Sequence, residues 1–263
     1  MSFREEGFMG ASGAAIRLTQ VDRYRELFEF ANECSRLAVV VAALLPDIRE
    51  KTKLVASIFF MRSLSHFQAA INLAEGGMTI EALVLCRGLV ETGFVLCSLA
   101  EGAVTPAELV SHDKASRVKQ AKAILHGRDA YANILPFENK LNDFVTENID
   151  SDAIDMHTLA RKCKALAVYD GLYRHLSHFA AHPSLSAAEP YLVTMPNGQS
   201  HAQFRPVLDY TPRAVLSACA GILIGLCACG KSGMLTPETD DTRTRLWNDY
   251  MALYARNDPW SDG

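Results

Sequence analysis

The chain has no Cys-x-x-Cys pair, no internal repeat, no long linker and no excess of positive charge, and each absence narrows what it can be. Its seven cysteines (Cys34, Cys86, Cys97, Cys163, Cys219, Cys227 and Cys229) are odd in number, scattered and mostly set in apolar helical context. They read as small buried hydrophobes in a reducing cytoplasm. The first 17 residues carry Arg4, Glu5 and Glu6 and no apolar run of signal-peptide length, so a cytosolic protein is expected. A formal net charge of −4 and a pI near 6.1 do not describe a chain that is basic throughout. Nucleic-acid binding would have to come from a local patch. The uncharged run Ala214 to Cys229 falls short of the ~20 residues a bilayer needs. It is rich in Ala, Gly, Ser and Cys, which suit close helix packing, so a buried helix and no membrane association are expected.

What is present is helical periodicity. With 263 residues and 49% hydrophobic content the chain can bury a sizeable core, and one domain over residues 19–256 is the simplest division, with a flexible start (1–18) and a short tail (257–263). Three- and four-residue apolar spacing predicts a helix from Thr19 to Leu45, ended by Pro46, and a second from Asp47 to Ala74, stopped by Gly76-Gly77. Thr79 is placed to cap a third, Ile80 to Ala100. Thr105-Pro106-Ala107-Glu108 carries the cap, first-turn proline and third-position glutamate that announce a fourth. Two shorter helices are expected between Tyr131 and Tyr169, around a break at Glu147 to Asp152, with a kink at Asp170-Gly171. Tyr191 to Met195, Pro196-Asn197-Gly198-Gln199 and Ser200 to Val207 read as a β-hairpin. Helices resume at Pro212 to Cys229 and Thr242 to Arg256. The fold class is therefore an all-α multi-helix bundle with a small β-hairpin insertion near residues 190–207.

Two stretches carry polar chemistry. Tyr173-Arg174-His175-Leu176-Ser177-His178-Phe179-Ala180-Ala181-His182-Pro183 holds three of the eight histidines and ends on a proline, as the last turns of a helix would. With His175 as zero, Leu172, Leu176 and Phe179 fall at roughly 60°, 100° and 40°, and His178 and His182 at roughly 300° and 340°. Tyr173 and Ser177, and likewise Arg174 and His178, are four apart and so neighbours on the helix surface. In the third helix Arg87 and Glu91 are the only charges from Ala82 to Cys97, so the pair is expected inside the bundle. An internal ion pair that fixes helix register accounts for it as well as a site does.

Two further features are weighed. Gly225-Leu226-Cys227-Ala228-Cys229-Gly230-Lys231-Ser232 satisfies the phosphate-loop pattern. Its intervening residues are apolar and what precedes it looks helical, so a helix end explains it and no cofactor is expected. Lys114, Arg117, Lys119, Lys122 and Arg128, with only Asp113 nearby, make the fourth helix the most basic stretch. It is either a solvated face or a nucleic-acid-binding one.

Arg87-x3-Glu91, followed by Tyr173-x3-Ser177-x4-His182-Pro183-Ser184 and then a hairpin and an apolar helix, resembles a family named domain of unknown function 5677, over roughly residues 20–230. That family, described in bacteria, is similar in outline to the HEPN superfamily of helical bundles, which includes metal-independent ribonucleases of toxin and phage-defence systems. The resemblance implies an oligomer, a homodimer first, and RNA or a nucleotide as partner. The nuclease signature is an arginine, a polar residue, three more residues and a histidine. Arg174-His175 fits its start, but Phe179 stands at the histidine position, with His178 one residue early and His182 three late.

Three functions stay open. In an RNA-cleaving enzyme, Arg87 or Arg174 would stabilise charge on the phosphate and His178 or His182 would move a proton. In a metal site, His178 and His182 would join Glu91. In a non-catalytic interaction protein the polar centre of Arg87, Glu91, Tyr173, Arg174, Ser177, His178 and His182 would only specify the fold.

Overall fold

The computed structural model of the chain describes residues 3–45, 49–127, 135–178 and 185–257. Its main helices are Ala11–Arg23 (α1), Arg25–Leu44 (α2), Lys51–Glu75 (α3), Thr79–Ala100 (α4), Pro106–His126 (α5), Leu135–Glu147 (α6), Met156–Lys162 (α7), Thr211–Lys231 (α8) and Pro237–Asn257 (α9). One antiparallel hairpin, Leu192–Thr194 (β1) with Ser200–Ala202 (β2), pairs Val193 with His201. The all-α bundle with a small hairpin that periodicity predicts is the fold the chain adopts.

α3, α4 and α8 form the centre, and α2 and α9 pack around α8. Phe60, Phe67, Phe94, Leu89 and Ile222 are buried at this junction. Each such side chain contributes about 1.5–3 kcal/mol of hydrophobic free energy. By length and composition alone, Lys51–Glu75, Thr79–Ala100 and Leu208–Lys231 are also long and apolar enough to cross a membrane. In the bundle their apolar faces cover one another, most completely in α8.

The α4–α8 crossing is close because α8 brings glycine to it. A Cβ added at Gly221 would stand 2.5 Å from Cγ of Leu89, a branch atom that cannot swing aside. Alanine gains about 1 kcal/mol over glycine in an unhindered helix, whereas overpacking costs about 1–3 kcal/mol. Gly221→Ala is therefore expected to lower stability by up to about 2 kcal/mol, read as a reduced urea midpoint at unchanged slope.

Several local expectations need correction. Residues 11–18, read as a loose start, are helical, as an alanine-rich segment favours. The long first helix is instead two, broken at Tyr24, which leaves helical geometry at φ −115°, ψ 36°. Thr79 caps nothing: its hydroxyl donates to the Val207 carbonyl at 2.5 Å. Met78 holds the N-cap position. The capping box at Thr105 is present. Gly77, at φ +79°, closes α3, with the Met78 N–H donating to the Leu73 carbonyl at 2.9 Å. The phosphate-loop look-alike lies in α8 as far as Lys231, its amides committed to helical bonding, and the Lys231 ammonium pairs with Glu101.

Candidate functional site

Arg87 and Glu91 stand one turn apart on α4, with Arg87 Nη2 3.1 Å from Glu91 Oε1. Their side chains are 29% and 33% exposed, which corrects the expectation of a pair inside the bundle. The apolar surroundings seen in the sequence belong to the other faces of α4, where Leu89, Val90 and Phe94 meet the core. Arg87, Gly88 and Glu91 line a face that α3 and the 169–178 segment only partly cover.

That segment is the structural surprise. Tyr169–Tyr173 forms a π-helical turn, and π geometry returns at Ser177 and His178 after a short α-helical stretch. A π-turn widens the helix and re-aims its side chains, and such turns concentrate at functional sites. Here it turns Tyr173 and Ser177 onto Arg87. Arg87 Nε donates to Ser177 Oγ at 3.1 Å and Nη2 donates to Tyr173 Oη at 3.3 Å. Tyr173 in turn donates to Glu91 Oε1 at 3.0 Å. The Tyr173 ring meets Phe94 edge-on at 5.8 Å between centroids, and Tyr169 stacks on it at 5.0 Å. Burial works against the charge on Arg87, but the Tyr173 hydroxyl and the Glu91 carboxylate outweigh it. They hold the guanidinium above its ordinary pKa, and it stays cationic.

The other expected residues divide. Arg174 is exposed, pairs with Asp170 at 3.3 Å and lies over the Tyr169 ring, turned away from Arg87. His178 is exposed, with Nε2 3.4 Å from Ser186 Oγ. His175 is half-buried, and burial, then the charges of Arg213 and His178, push its pKa down. His182, with Phe179 and Pro183, lies outside the described residues. Lys114, Arg117, Lys119 and Lys122 are exposed on α5, with Arg117 held by Asp113 at 2.9 Å, while Arg128 lies outside the described residues. α5 packs mainly on α6 and makes a smaller contact with α3, so it is not gathered against the π-turn. Among the described residues no group of three or more His, Cys, Asp or Glu side chains is placed to hold a metal.

His66 belongs to neither of the two polar stretches of the sequence. It sits on α3 with its ring against Gly88, the neighbour of Arg87, where an added Cβ would come within 3.4 Å of Cε1. Its Nδ1 is buried and finds no hydrogen-bond partner among the described residues. Burial, then Arg62, lowers its pKa, so the ring is neutral at pH 7. The available signal was Gly88, a glycine inside an apolar helix, which marks close approach by another element.

No curated protein and no solved structure matches the chain. Residues 53–200, which run from α3 to the start of β2 and carry Arg87, Glu91, Tyr173 and Ser177, match a family model over more than half of the chain. The chain belongs to the family of unknown function DUF5677.

Proposed function

We propose that the chain is a metal-independent ribonuclease of HEPN-like type, a cytosolic homodimer whose site is the Arg87–Glu91–Tyr173–Ser177 cluster. The observation that carries this reading is the π-turn that brings Tyr173 and Ser177 onto a partly exposed, permanently charged arginine. A phosphate displacing Glu91 from Arg87 would meet a positioned cation and two hydroxyls. A histidine of the same segment, His178 or His182, takes the proton from the ribose 2′-hydroxyl. That oxygen attacks phosphorus, and the 5′-oxygen leaves with a proton, giving a 2′,3′-cyclic phosphate. Neutral His66, whose ring lies against Gly88, is another candidate proton acceptor. The exposed Val39, Val40 and Leu44 of α2 and Leu54 and Ile58 of α3 offer apolar surface for a dimer contact.

The test is labelled RNA incubated with purified protein in excess chelator, wild type beside His178→Ala, His182→Ala and Arg174→Ala. Wild type is expected to leave cyclic phosphate ends, with the rate falling about 10²-fold or more when the acting histidine is removed. Arg174→Ala is expected to change little, because Arg174 is occupied by Asp170 and Tyr169. Intact RNA in every tube overturns the reading.

A second reading has its own observation: Arg87 already donates to Ser177 and Tyr173 and pairs with Glu91. A cluster satisfied in this way can serve only to fasten the π-turn to α4, in a protein that binds a partner without chemistry.

A further inference from the structure

α2 and α9 pack along part of their length and leave between them a cavity of about 440 Å³. That volume falls in the range of small-molecule sites. Its α2 wall is one face of the helix, because Glu33, Arg36, Leu37, Val40 and Leu44 recur in three- and four-residue steps. The facing wall runs from Thr236 to Arg245. Most polar groups there are already engaged. Arg245 pairs with Glu33 at 2.8 Å and with Asp249 at 2.9 Å. The Thr236 and Thr239 hydroxyls bond each other at 3.0 Å, and Thr242 donates to the Glu238 carbonyl at 2.9 Å. Two charges remain. The exposed side chains of Arg36 and Glu238 have no hydrogen bond or ion pair among the described residues. The pairs Arg245–Glu33 and Arg256–Glu26 set the two helices antiparallel. Counted from Glu33–Arg245, Arg36 is three residues along α2 and Glu238 seven along α9 in the same direction, an offset of about 6 Å along the axes. The two charges therefore stand on opposite walls without meeting.

We propose that this cavity binds a free amino acid with a branched apolar side chain, its carboxylate on Arg36, its ammonium on Glu238 and its side chain on Leu37, Val40 and Leu44. A monocarboxylate of the same shape would satisfy Arg36 but bring a like charge to Glu238, and a monoamine would do the reverse. A zwitterion answers both charges and bridges the offset that keeps them apart. The guanidinium fork of Arg36 matches a carboxylate in geometry as well as charge. The start of α9 does not compete for that carboxylate. Thr236 and Thr239 already cap it, and Glu238 and Asp240 stand in its first turn. The apolar wall selects the body of the ligand: Leu37 is buried, while Val40 and Leu44, at the edge of the apolar face offered for a dimer contact, are about half exposed. A branched side chain laid on them would remove that surface from water. The site uses nothing of the Arg87 cluster and stands whether or not the chain cleaves RNA.

The test is a calorimetric titration of the full chain with L-leucine, beside glycine, isocaproate and isoamylamine, which lack in turn the apolar body, the ammonium and the carboxylate. Leucine is expected to bind, and each analogue to bind about tenfold or more weakly. Arg36→Gln and Glu238→Gln change exposed positions where no side-chain bond is lost. Each should cost leucine about tenfold in affinity at an unchanged urea midpoint. In Arg36→Gln the gap between leucine and isoamylamine should also shrink, since the carboxylate has lost its partner. No binding of leucine at millimolar concentration, isocaproate bound as tightly as leucine, or full leucine affinity in either variant overturns the proposal.

Discussion

Arg87→Ala is expected to lower RNA cleavage by about 10²–10³-fold while costing the fold little. Removing a preorganised donor from a developing phosphate charge costs on this scale. The ion pair with Glu91 is about a third exposed on both sides, and solvent screens it, so its loss should take no more than about 1 kcal/mol of stability. Tyr173 would still donate to Glu91 in the variant, so the π-turn keeps one tie to α4. Arg87→Lys separates charge from geometry. A lysine ammonium cannot reproduce the fork that sends Nε to Ser177 and Nη2 to Tyr173 and Glu91. The lysine variant is expected to stay well below wild type in rate while retaining more RNA affinity than the alanine variant. Rates per folded molecule, with the folded fraction from urea titration, check both. Cleavage that persists in Arg87→Ala would remove this cluster from the chemistry; cleavage that falls only with the folded fraction would make it a structural fastener.

The scaffold was readable from the sequence because local signals and burial pointed the same way. The capping box at Thr105, the glycine stop at Gly76-Gly77 and the Asn197-Gly198 turn each act within a few residues, and each is found in the structure. The site was readable only as a set of names. Of the seven residues expected at one polar centre, Arg87, Glu91, Tyr173 and Ser177 are bonded together and Arg174 is paired elsewhere, and the device that gathers the four, a π-turn at Tyr169–Tyr173, leaves no periodic trace in so short a stretch. The depth of the Arg87–Glu91 pair was misjudged for a related reason. Apolar neighbours along α4 say how much of the helix is covered, not which strip the neighbouring elements leave open. His66 escaped because its importance rests on a tertiary contact with Gly88 across 22 residues of sequence.

Phe94→Ala is expected to lower stability by about 3–5 kcal/mol, among the largest effects of any single core truncation in the chain. Phe94 is fully buried on α4, and its ring supports Tyr173 edge-on and lies 6.2 Å from Tyr169. The substitution therefore removes packing from the core and also the wall against which the π-turn rests. Leu89→Ala supplies the comparison: Leu89 is as completely buried on the same helix but packs against Gly221 of α8. Its truncation is expected to cost about 2–5 kcal/mol. With both variants assayed where they remain folded, loss of cleavage per folded molecule should follow Phe94→Ala and spare Leu89→Ala. The reason is geometric: freed from Phe94, the Tyr173 ring can tilt, and its hydroxyl no longer has to meet both Arg87 and Glu91. Equal loss of activity in both variants would mean that the site responds to the stability of the whole bundle. Loss confined to Phe94→Ala would tie the chemistry to the position of one tyrosine, held from beneath by the core.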